Sequence, residues 1–223
     1  MKPRAAGFTL IEVLLSTVLL AAGLGLAFTT LRAATATAQR GEAMAARSER
    51  MRAVAGFLRR RISAALPIGF AMDDINGLPQ RFVGEPDRIR FVADLPDYLG
   101  RGGPHLHDIT LDADADAQRL RVAFAVVQGG QTILEPAPRE PELLADGLRD
   151  VEFRYRALDA DGALGPWQDS WTTADRLPLQ VSIRIAESSD RGGRDGGRPW
   201  PELVIALPLG GTVSNEPSQA LLR

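Results

Sequence analysis

Residues 8–31, FTLIEVLLSTVLLAAGLGLAFTTL, form an apolar run whose only charged residue is Glu12. The charge-free part, residues 13–31, is close to the roughly 20 residues that a helix needs to cross a bilayer. Lys2 and Arg4 precede the run, and a long sequence of ordinary polarity follows it. Because basic residues favour the cytoplasmic side, we predict a single-pass membrane helix whose C-terminal domain lies outside the cytoplasm.

The start of the apolar run separates three interpretations. A secretory signal peptide would be cleaved behind the run, where Ala-Ala-Thr-Ala at residues 33–36 offers only weak sites. A plain signal anchor needs no special sequence at this point. The motif GFTLIEV at residues 7–13 resembles the type IV prepilin signature in register. We therefore interpret residues 1–7 as a prepilin leader and residues 8–31 as a membrane and filament helix.

The resemblance to type IV prepilins implies a processing step. In that family a membrane-bound prepilin peptidase cuts after the glycine on the cytoplasmic face and methylates the new N-terminus. Carried over to this sequence, cleavage follows Gly7, and Phe8 becomes N-methylphenylalanine.

Glu12 is costly where it stands, because a carboxylate within an apolar membrane helix costs about 2.5–3.5 kcal/mol. A functional role is the default hypothesis for such a residue. Glu12 lies close to the start of the run, so its side chain can also reach the membrane interface, and this alternative stays open. The prepilin resemblance implies that Glu12 pairs with the cationic N-terminus of a neighbouring subunit, which would set the axial stagger between packed helices.

Residues 32–66 continue the helix with a different pattern. This segment is rich in Ala, Arg, Glu and Met, which are strong helix formers, and Pro67 is expected to end it. From Met51 onward the apolar residues recur every three or four positions, the spacing of one helical face. We expect this face to pack on a domain formed by residues 67–211. Its members are Met51, Val54, Leu58 and Ile62.

Beyond Pro67 the sequence is typical of β-strands. Residues 151–156 and 181–185 alternate apolar and polar side chains, and Gly129-Gly130 and residues 159–162 indicate turns. The predicted fold class is therefore α+β, a pilin-like long N-terminal α-helix packed against antiparallel β-sheet. Further strands are predicted at residues 88–92, 108–111, 119–128, 132–134 and 202–207, a returning segment at 166–171, a loop at 188–199 and a flexible tail at 212–223.

The C-terminal half carries a second resemblance. LLADGL at residues 143–148, VEFRY at 151–155 and LPLQV at 177–181, with tryptophans between them, resemble the J-type minor pseudopilin of bacterial type II secretion. The resemblance implies a role at the pseudopilus tip, with the anchor in the inner membrane and the domain in the periplasm. It implies as partners the I, K and H minor pseudopilins, the major pseudopilin, prepilin peptidase and inner-membrane lipid. The outermost pseudopilin typically lacks the carboxylate, so Glu12 implies a position beneath another subunit.

Composition argues against several other classes of function. The chain contains no cysteine, which excludes disulfides, thiol catalysis and cysteine-ligated metals. Its formal net charge is -2, so no basic face for nucleic acid is expected. The sequence has no nucleophile elbow, phosphate loop or dinucleotide-binding glycine motif. We therefore expect neither an enzyme nor a bound cofactor.

Two groups of residues imitate metal ligands. His105 and His107, followed by Asp108, lie in a segment flanked by glycine and proline, and we expect these histidines to be exposed to solvent. Asp112, Asp114 and Asp116 imitate the start of a calcium loop. The positions where an EF-hand needs glycine and glutamate, 117 and 123, hold alanine. No metal is predicted, with weak calcium binding left as an alternative at these aspartates or at Asp159 and Asp161.

Trp167, Trp171 and Trp200 leave two interpretations open. Tryptophan is common in packed sheet faces, and it is also enriched among the residues that dominate protein interfaces. The sequence does not decide between core packing and partner contact.

Two rival functions remain at this point. A minor pilin of a type IV pilus or DNA-uptake machine would share the N-terminal motif and the fold. A signal-anchored periplasmic enzyme or binding domain would share the anchor, but it would keep an intact N-terminus and need a catalytic cluster or a deep pocket.

Overall fold

The computed structural model describes residues 9–73, 77–95, 102–113, 117–133, 139–159, 161–187 and 200–208. The chain forms two compact units, Met1–Arg52 and Ala53–Arg223, which we call the N-terminal unit and the β-domain. Gly7 and Phe8 lie outside the described residues, as do the predicted loop at 188–199 and the predicted tail at 212–223.

Helix α1 spans Leu10–Ser63, 54 residues. Thr9 caps its start, because its side-chain Oγ1 accepts a 3.4 Å hydrogen bond from the backbone N–H of Glu12. The predicted end at Leu66 is three residues too late. Leu66 has left the helix because its N–H donates to the carbonyl oxygen of Val92, 2.7 Å away, in an isolated antiparallel bridge.

Ten strands follow the helix in the described part of the chain. They are β1 (Ala71–Met72), β2 (Pro79–Gln80), β3 (Phe82–Gly84), β4 (Arg88–Leu95), β5 (Gly103–Ala113), β6 (Gln118–Gln128), β7 (Gln131–Thr132), β8 (Glu142–Arg156), β9 (Gln180–Glu187) and β10 (Leu203–Ala206).

Most of these strands form one antiparallel sheet in the order β10-β9-β8-β6-β5-β4-β3, with β7 paired to β6 beside this path. The short strands β1 and β2 pair with each other. Sequential strands are usually neighbours, so the sheet is built largely from hairpins. A long helix joined to an antiparallel sheet confirms the predicted α+β class.

The segment that follows β8 links two distant strands of the sheet. Gln168 exchanges two backbone hydrogen bonds of 2.8 Å with Tyr155 in β8. The N–H of Trp171 donates to the carbonyl oxygen of Gly84 in β3, also at 2.8 Å. The hydroxyl of Tyr155 donates directly to the carbonyl oxygen of Glu85 at 2.8 Å. The sheet is therefore curved enough to bring β3 close to β8.

Gly84 permits this close approach. A Cβ atom at this position would lie 2.6 Å from the ring of Tyr155 and 2.9 Å from Cβ of Trp171, inside contact distance in both cases. The absence of a side chain is therefore a packing requirement here.

A row of ring side chains crosses four strands at the centre of the core. Phe82, Phe91, His107 and Phe124 are successive register partners on β3, β4, β5 and β6. Their ring centroids lie 6.3, 5.2 and 5.0 Å apart along the row. Tyr155 meets Phe82 edge-on at 5.9 Å. We call these five residues the ring row.

The predicted strands at residues 88–92, 108–111 and 151–156 are confirmed and extend further than expected. The turn at Gly129-Gly130 is also confirmed, and both glycines have positive φ. The short strands β1, β2 and β3 were not predicted, since two or three residues carry too little local signal. Residues 166–171 form isolated bridges at Gln168 and Trp171 rather than the continuous return that we predicted.

Candidate assembly and partner surfaces

The apolar run lies uncovered along the first part of α1. Leu10 is 83% exposed and Leu24 is 63% exposed. The most apolar 18-residue window has a mean hydropathy of 2.2, and none of it is buried. Within the described ranges α1 is the one helix long and apolar enough to span a membrane. Such a surface is stable in lipid or against other apolar helices rather than in water.

Glu12 is the one carboxylate on this surface between Leu10 and Leu31. It lies in the first turn of α1, where a negative charge is favoured by the partial positive charge at the helix N-terminus. Its carbonyl oxygen accepts a 2.6 Å hydrogen bond from Oγ of Ser16, and its side chain is exposed. The predicted partner of Glu12 is the N-terminal amine of Phe8 in a neighbouring subunit. Phe8 lies outside the described residues, so that pairing stays a prediction.

The last turns of α1 contribute one face to the β-domain. Val54, Leu58 and Ile62 are buried, and Met51 is half-buried. The helix end is tied to β4, because Nη1 of Arg61 donates to the carbonyl oxygen of Asp94 at 3.1 Å. The three buried residues therefore belong to the core of the β-domain itself.

The expectation that the two histidines are exposed is wrong. His105 is 6% exposed and His107 is fully buried, since both lie on the interior strand β5, between β4 and β6. Nδ1 of His107 lies 3.0 Å from the carbonyl oxygen of His105, and Nε2 is buried without a hydrogen-bond partner in the described residues. Burial, reinforced by the charge of Arg61, lowers the pKa of His107 from 6.5 to about 4.

Asp108 does not join these histidines as a ligand. Alternation along β5 directs it to the opposite face of the sheet from His107. There Arg88 holds its carboxylate with two hydrogen bonds of 2.8 and 2.5 Å, and Arg90 lies 3.7 Å away. Among the described residues, no group of three or more acidic or histidine side chains is placed to hold a metal ion.

The other aspartates that were candidates for calcium binding either have structural roles or lie outside the described residues. Asp112 forms a 3.0 Å ion pair with Arg121 on the adjacent strand. Oδ1 of Asp159 accepts hydrogen bonds from the N–H groups of Asp161 and Ala163 at 3.0 and 2.8 Å, which closes a tight turn. Asp114 and Asp116 are outside the described residues.

The three tryptophans have different surroundings. Trp200 is 7% exposed and belongs to the core. Trp171 is half-buried, and its Nε1 donates to the carbonyl oxygen of Arg176 at 2.9 Å. Trp167 is also half-buried, with the guanidinium of Arg156 4.4 Å above its ring. Of the three, Trp167 and Trp171 retain a surface that a partner can reach.

A pair of exposed leucines was missed by the sequence analysis. Leu158 and Leu164 form an isolated bridge behind the Asp159 turn and remain 44% and 51% exposed. If the alternation of β8 is continued past the end of the strand, Leu158 falls on the polar, exposed face. That is the signal that could have revealed this surface. Together with Trp167 the two leucines give this hairpin an apolar surface.

Comparisons with known proteins agree with this architecture. A family model described as "Prokaryotic N-terminal methylation motif" matches residues 2–28. That motif, the exposed apolar helix and the antiparallel sheet define a pilin-like protein anchored by its N-terminus. A second family model, "Type II secretion system (T2SS), protein J", matches residues 29–190. The Type II secretion system protein J of Xanthomonas campestris pv. campestris is 55% identical over 212 residues, 95% of this chain and 97% of that protein.

The chain belongs to the type II secretion system protein J family. This confirms the predicted function at the level of a minor pseudopilin of type II secretion, and it selects that system over the type IV pilus alternative. The family is a structural component of the secretion machinery, and membership implies partners within the pseudopilus.

Proposed function

We propose that this chain acts by binding, not by catalysis, in a tip complex with the I, K and H minor pseudopilins. The complex primes assembly of the pseudopilus, to which the major pseudopilin is then added, and so supports export of folded proteins across the outer membrane. The β-domain lies in the periplasm and α1 is anchored in the inner membrane. Prepilin peptidase cleaves after Gly7 and methylates Phe8.

One observation carries this proposal. The N-terminal unit exposes a long apolar helical surface that includes one carboxylate, whereas the β-domain has a complete core of its own. A protein of this construction is stable as a subunit of a helical assembly: α1 packs among other helices, and the β-domain remains folded outside them.

Glu12 has a specific task in such an assembly. An ionised carboxylate among apolar helices is tolerated when a cation neutralises it, and cleavage after Gly7 creates an amine on the adjacent residue. That amine on a neighbouring subunit is the proposed partner. The pair would fix the axial position of one helix against the next.

The first test is mass spectrometry of the N-terminal peptide of the mature protein from cells that contain prepilin peptidase. We expect a peptide that begins at Phe8 and carries one added methyl group. A mature chain that still begins at Met1 would contradict both the processing step and the proposed role of Glu12.

The second test replaces the carboxylate. Glu12→Val should leave the protein in the membrane, because the change removes a charge from the apolar run, but it should sharply lower co-purification with the I and K pseudopilins. Ser16→Val is the matched control, since it removes a neutral polar group from the same run. Undiminished co-purification of Glu12→Val would refute the pairing.

A further inference from the structure

The two ends of the main sheet are finished differently. The outer edge of β3 is covered, because Gly84 accepts a hydrogen bond from the N–H of Trp171 at 2.8 Å and the N–H of Phe82 donates to Ala174 at 3.2 Å. At the other end β10 pairs with β9 on one side, and among the residues that the structure describes no strand pairs with its second side. An uncovered edge of this kind can accept a further strand.

The free side of β10 can be assigned to particular backbone groups. The N–H of Leu207 donates to the carbonyl oxygen of Leu179 at 2.9 Å, which continues the register of β10 with β9. In an antiparallel ladder, residues alternate between those that bond the partner strand and those whose groups face away from it. The odd-numbered residues of β10 therefore bond β9, whereas Val204 and Ala206 direct their N–H and carbonyl groups away from it.

The side chains next to these free groups are small and uncharged. Val204 is 41% exposed and Ala206 is exposed, while the residues that alternate with them are buried and hold the strand in the core. Pro201 and Pro208 have no N–H to donate, so they limit the usable edge to residues 202–207. The edge thus offers main-chain groups over a short length and little side-chain identity.

We propose that the free edge of β10 binds an extended segment of an exported protein, which adds to the sheet as a further strand. This inference rests on the proposed function, which gives the pseudopilus folded proteins as cargo. When a strand is added to a sheet, main-chain hydrogen bonds supply the affinity and side-chain pockets supply the specificity. Because only Val204 and Ala206 flank the free groups, the edge selects an extended backbone more than a sequence. Such a site fits cargo proteins that differ in sequence.

The short length of the edge also suits a subunit that passes its cargo on. Val204 and Ala206 provide two donors and two acceptors, so pairing with them forms four main-chain hydrogen bonds. A pairing between two short strands is only marginally stable by itself in water. Cargo held in this way is released readily, which a transport machine requires.

Hydrogen exchange of the full chain in detergent, resolved to single amides, tests the proposal without any substitution. The probe is a purified, folded protein that accumulates in the periplasm of cells lacking the secretion system, which identifies it as cargo. In the free chain the amides of Val204 and Ala206 should exchange fast, and those of Leu203 and Ile205 slowly. Saturating cargo should slow exchange at Val204 and Ala206 by about tenfold and leave the other two nearly unchanged.

Two variants at one position separate the main chain from the side chain. Val204→Pro removes an outward N–H and leaves the bonds to β9 in place, because proline is tolerated on a free edge. Val204→Thr keeps both the N–H and the β-branched shape. Proline should lower the cargo captured by the affinity-tagged full chain about fivefold, whereas threonine should stay within about twofold of wild type. If the proline variant does not fold, the exchange measurement on the wild-type chain still decides.

Several outcomes would overturn the assignment to cargo. Equal losses in the proline and threonine variants would do so, as would failure to capture cargo, or capture without slower exchange at Val204 and Ala206. Slow exchange there in the free chain at every concentration would mean that the chain covers its own edge. Slowing that grows with the concentration of the chain would mean a second copy, and slowing on addition of another pseudopilin alone would mean that subunit.

The proposed function is tested separately by capture of the full-length I and K pseudopilins. If the wild-type chain captures neither, that function fails and this inference falls with it. If the wild-type chain captures them but the amides of Val204 and Ala206 do not respond to cargo, the inference alone is overturned.

Discussion

The two ends of α1 expose the same kinds of side chain to very different surroundings. In the N-terminal unit, leucines such as Leu24 remain exposed over most of their surface, whereas Leu58 near the helix end is fully buried in the β-domain. One stretch of helix thus needs an environment that other molecules supply, and the other completes a core within its own chain. The first stretch is apolar on all sides and the second on one face, so each pattern matches the surroundings that its helix needs.

The largest expected effect tests this contrast directly. Leu58→Ala removes a fully buried side chain and should lower the free energy of unfolding of the β-domain by about 2–5 kcal/mol. Leu24→Ala makes the same chemical change on the exposed part of α1 and should leave that value within error. Denaturant unfolding of the full chain in detergent can be followed by tryptophan fluorescence, because all three tryptophans lie in the β-domain. Equal effects of the two variants would show that the contrast is false.

The second prediction concerns pH. The pKa of His107 is about 4 in the folded chain and 6.5 in the unfolded chain, so the unfolded state binds more protons between these values. The contribution of His107 to the free energy of unfolding should be largest above pH 6.5. It should fall by roughly 3 kcal/mol as the pH drops to 4 and stay constant below that pH. His107→Phe should flatten that part of the curve, which unfolding midpoints across the range would reveal. A slope unchanged by the substitution would assign the pH dependence to other groups.

A smaller effect is expected where β3 approaches β8. Gly84→Ala places a methyl group against the ring of Tyr155 and should cost about 1–3 kcal/mol through overpacking. Gly69→Ala serves as the control, since its nearest neighbour would be Cβ of Pro79 at 3.2 Å instead of a ring at 2.6 Å. The loss at Gly84 should exceed the loss at Gly69 in the same unfolding assay. The reverse order would contradict the account of the curved sheet.

The smallest effect is expected at a single strained residue. Asp150 has φ of 50° within the irregular part of β8, where the register with β9 shifts. Asp150→Val puts a β-branched residue into this left-handed conformation and should cost about 1–2 kcal/mol. Arg149→Val, one residue earlier and likewise exposed, should be nearly neutral or slightly stabilising in a strand. A comparable loss in both variants would point to the lost surface charges instead.

Sequence periodicity predicted the features that depend on one element at a time. The alternation of Val151, Phe153 and Tyr155 gave the buried face of β8, and the three-to-four spacing gave the buried face at Leu58 and Ile62. Two features that depend on contacts between elements were predicted wrongly. The helix ends early because Leu66 finds a partner in Val92, and His107 is buried because β4 and β6 place aromatic rings on both sides of it.

The features of the candidate assembly site likewise divide into those that the sequence predicted and those that it did not. The apolar run and Glu12 are visible in the sequence because they violate the composition of an ordinary soluble helix. The accessible surfaces of Trp167, Leu158 and Leu164 depend on how the segment after β8 folds back on itself, through the bridges Leu158–Leu164 and Tyr155–Gln168. The processing at Gly7 and Phe8 remains a prediction from the motif.

The link between Leu66 and Val92 has a mechanical consequence. Together with the bond from Arg61 to Asp94, it joins the end of α1 to β4, which is paired with β5 along all eight of its residues. Traction on the helix during extension of a filament would therefore be delivered to an interior strand of the sheet and shared by a whole ladder of hydrogen bonds. The short strands at the edges of the sheet, which would separate most easily, do not bear this force directly.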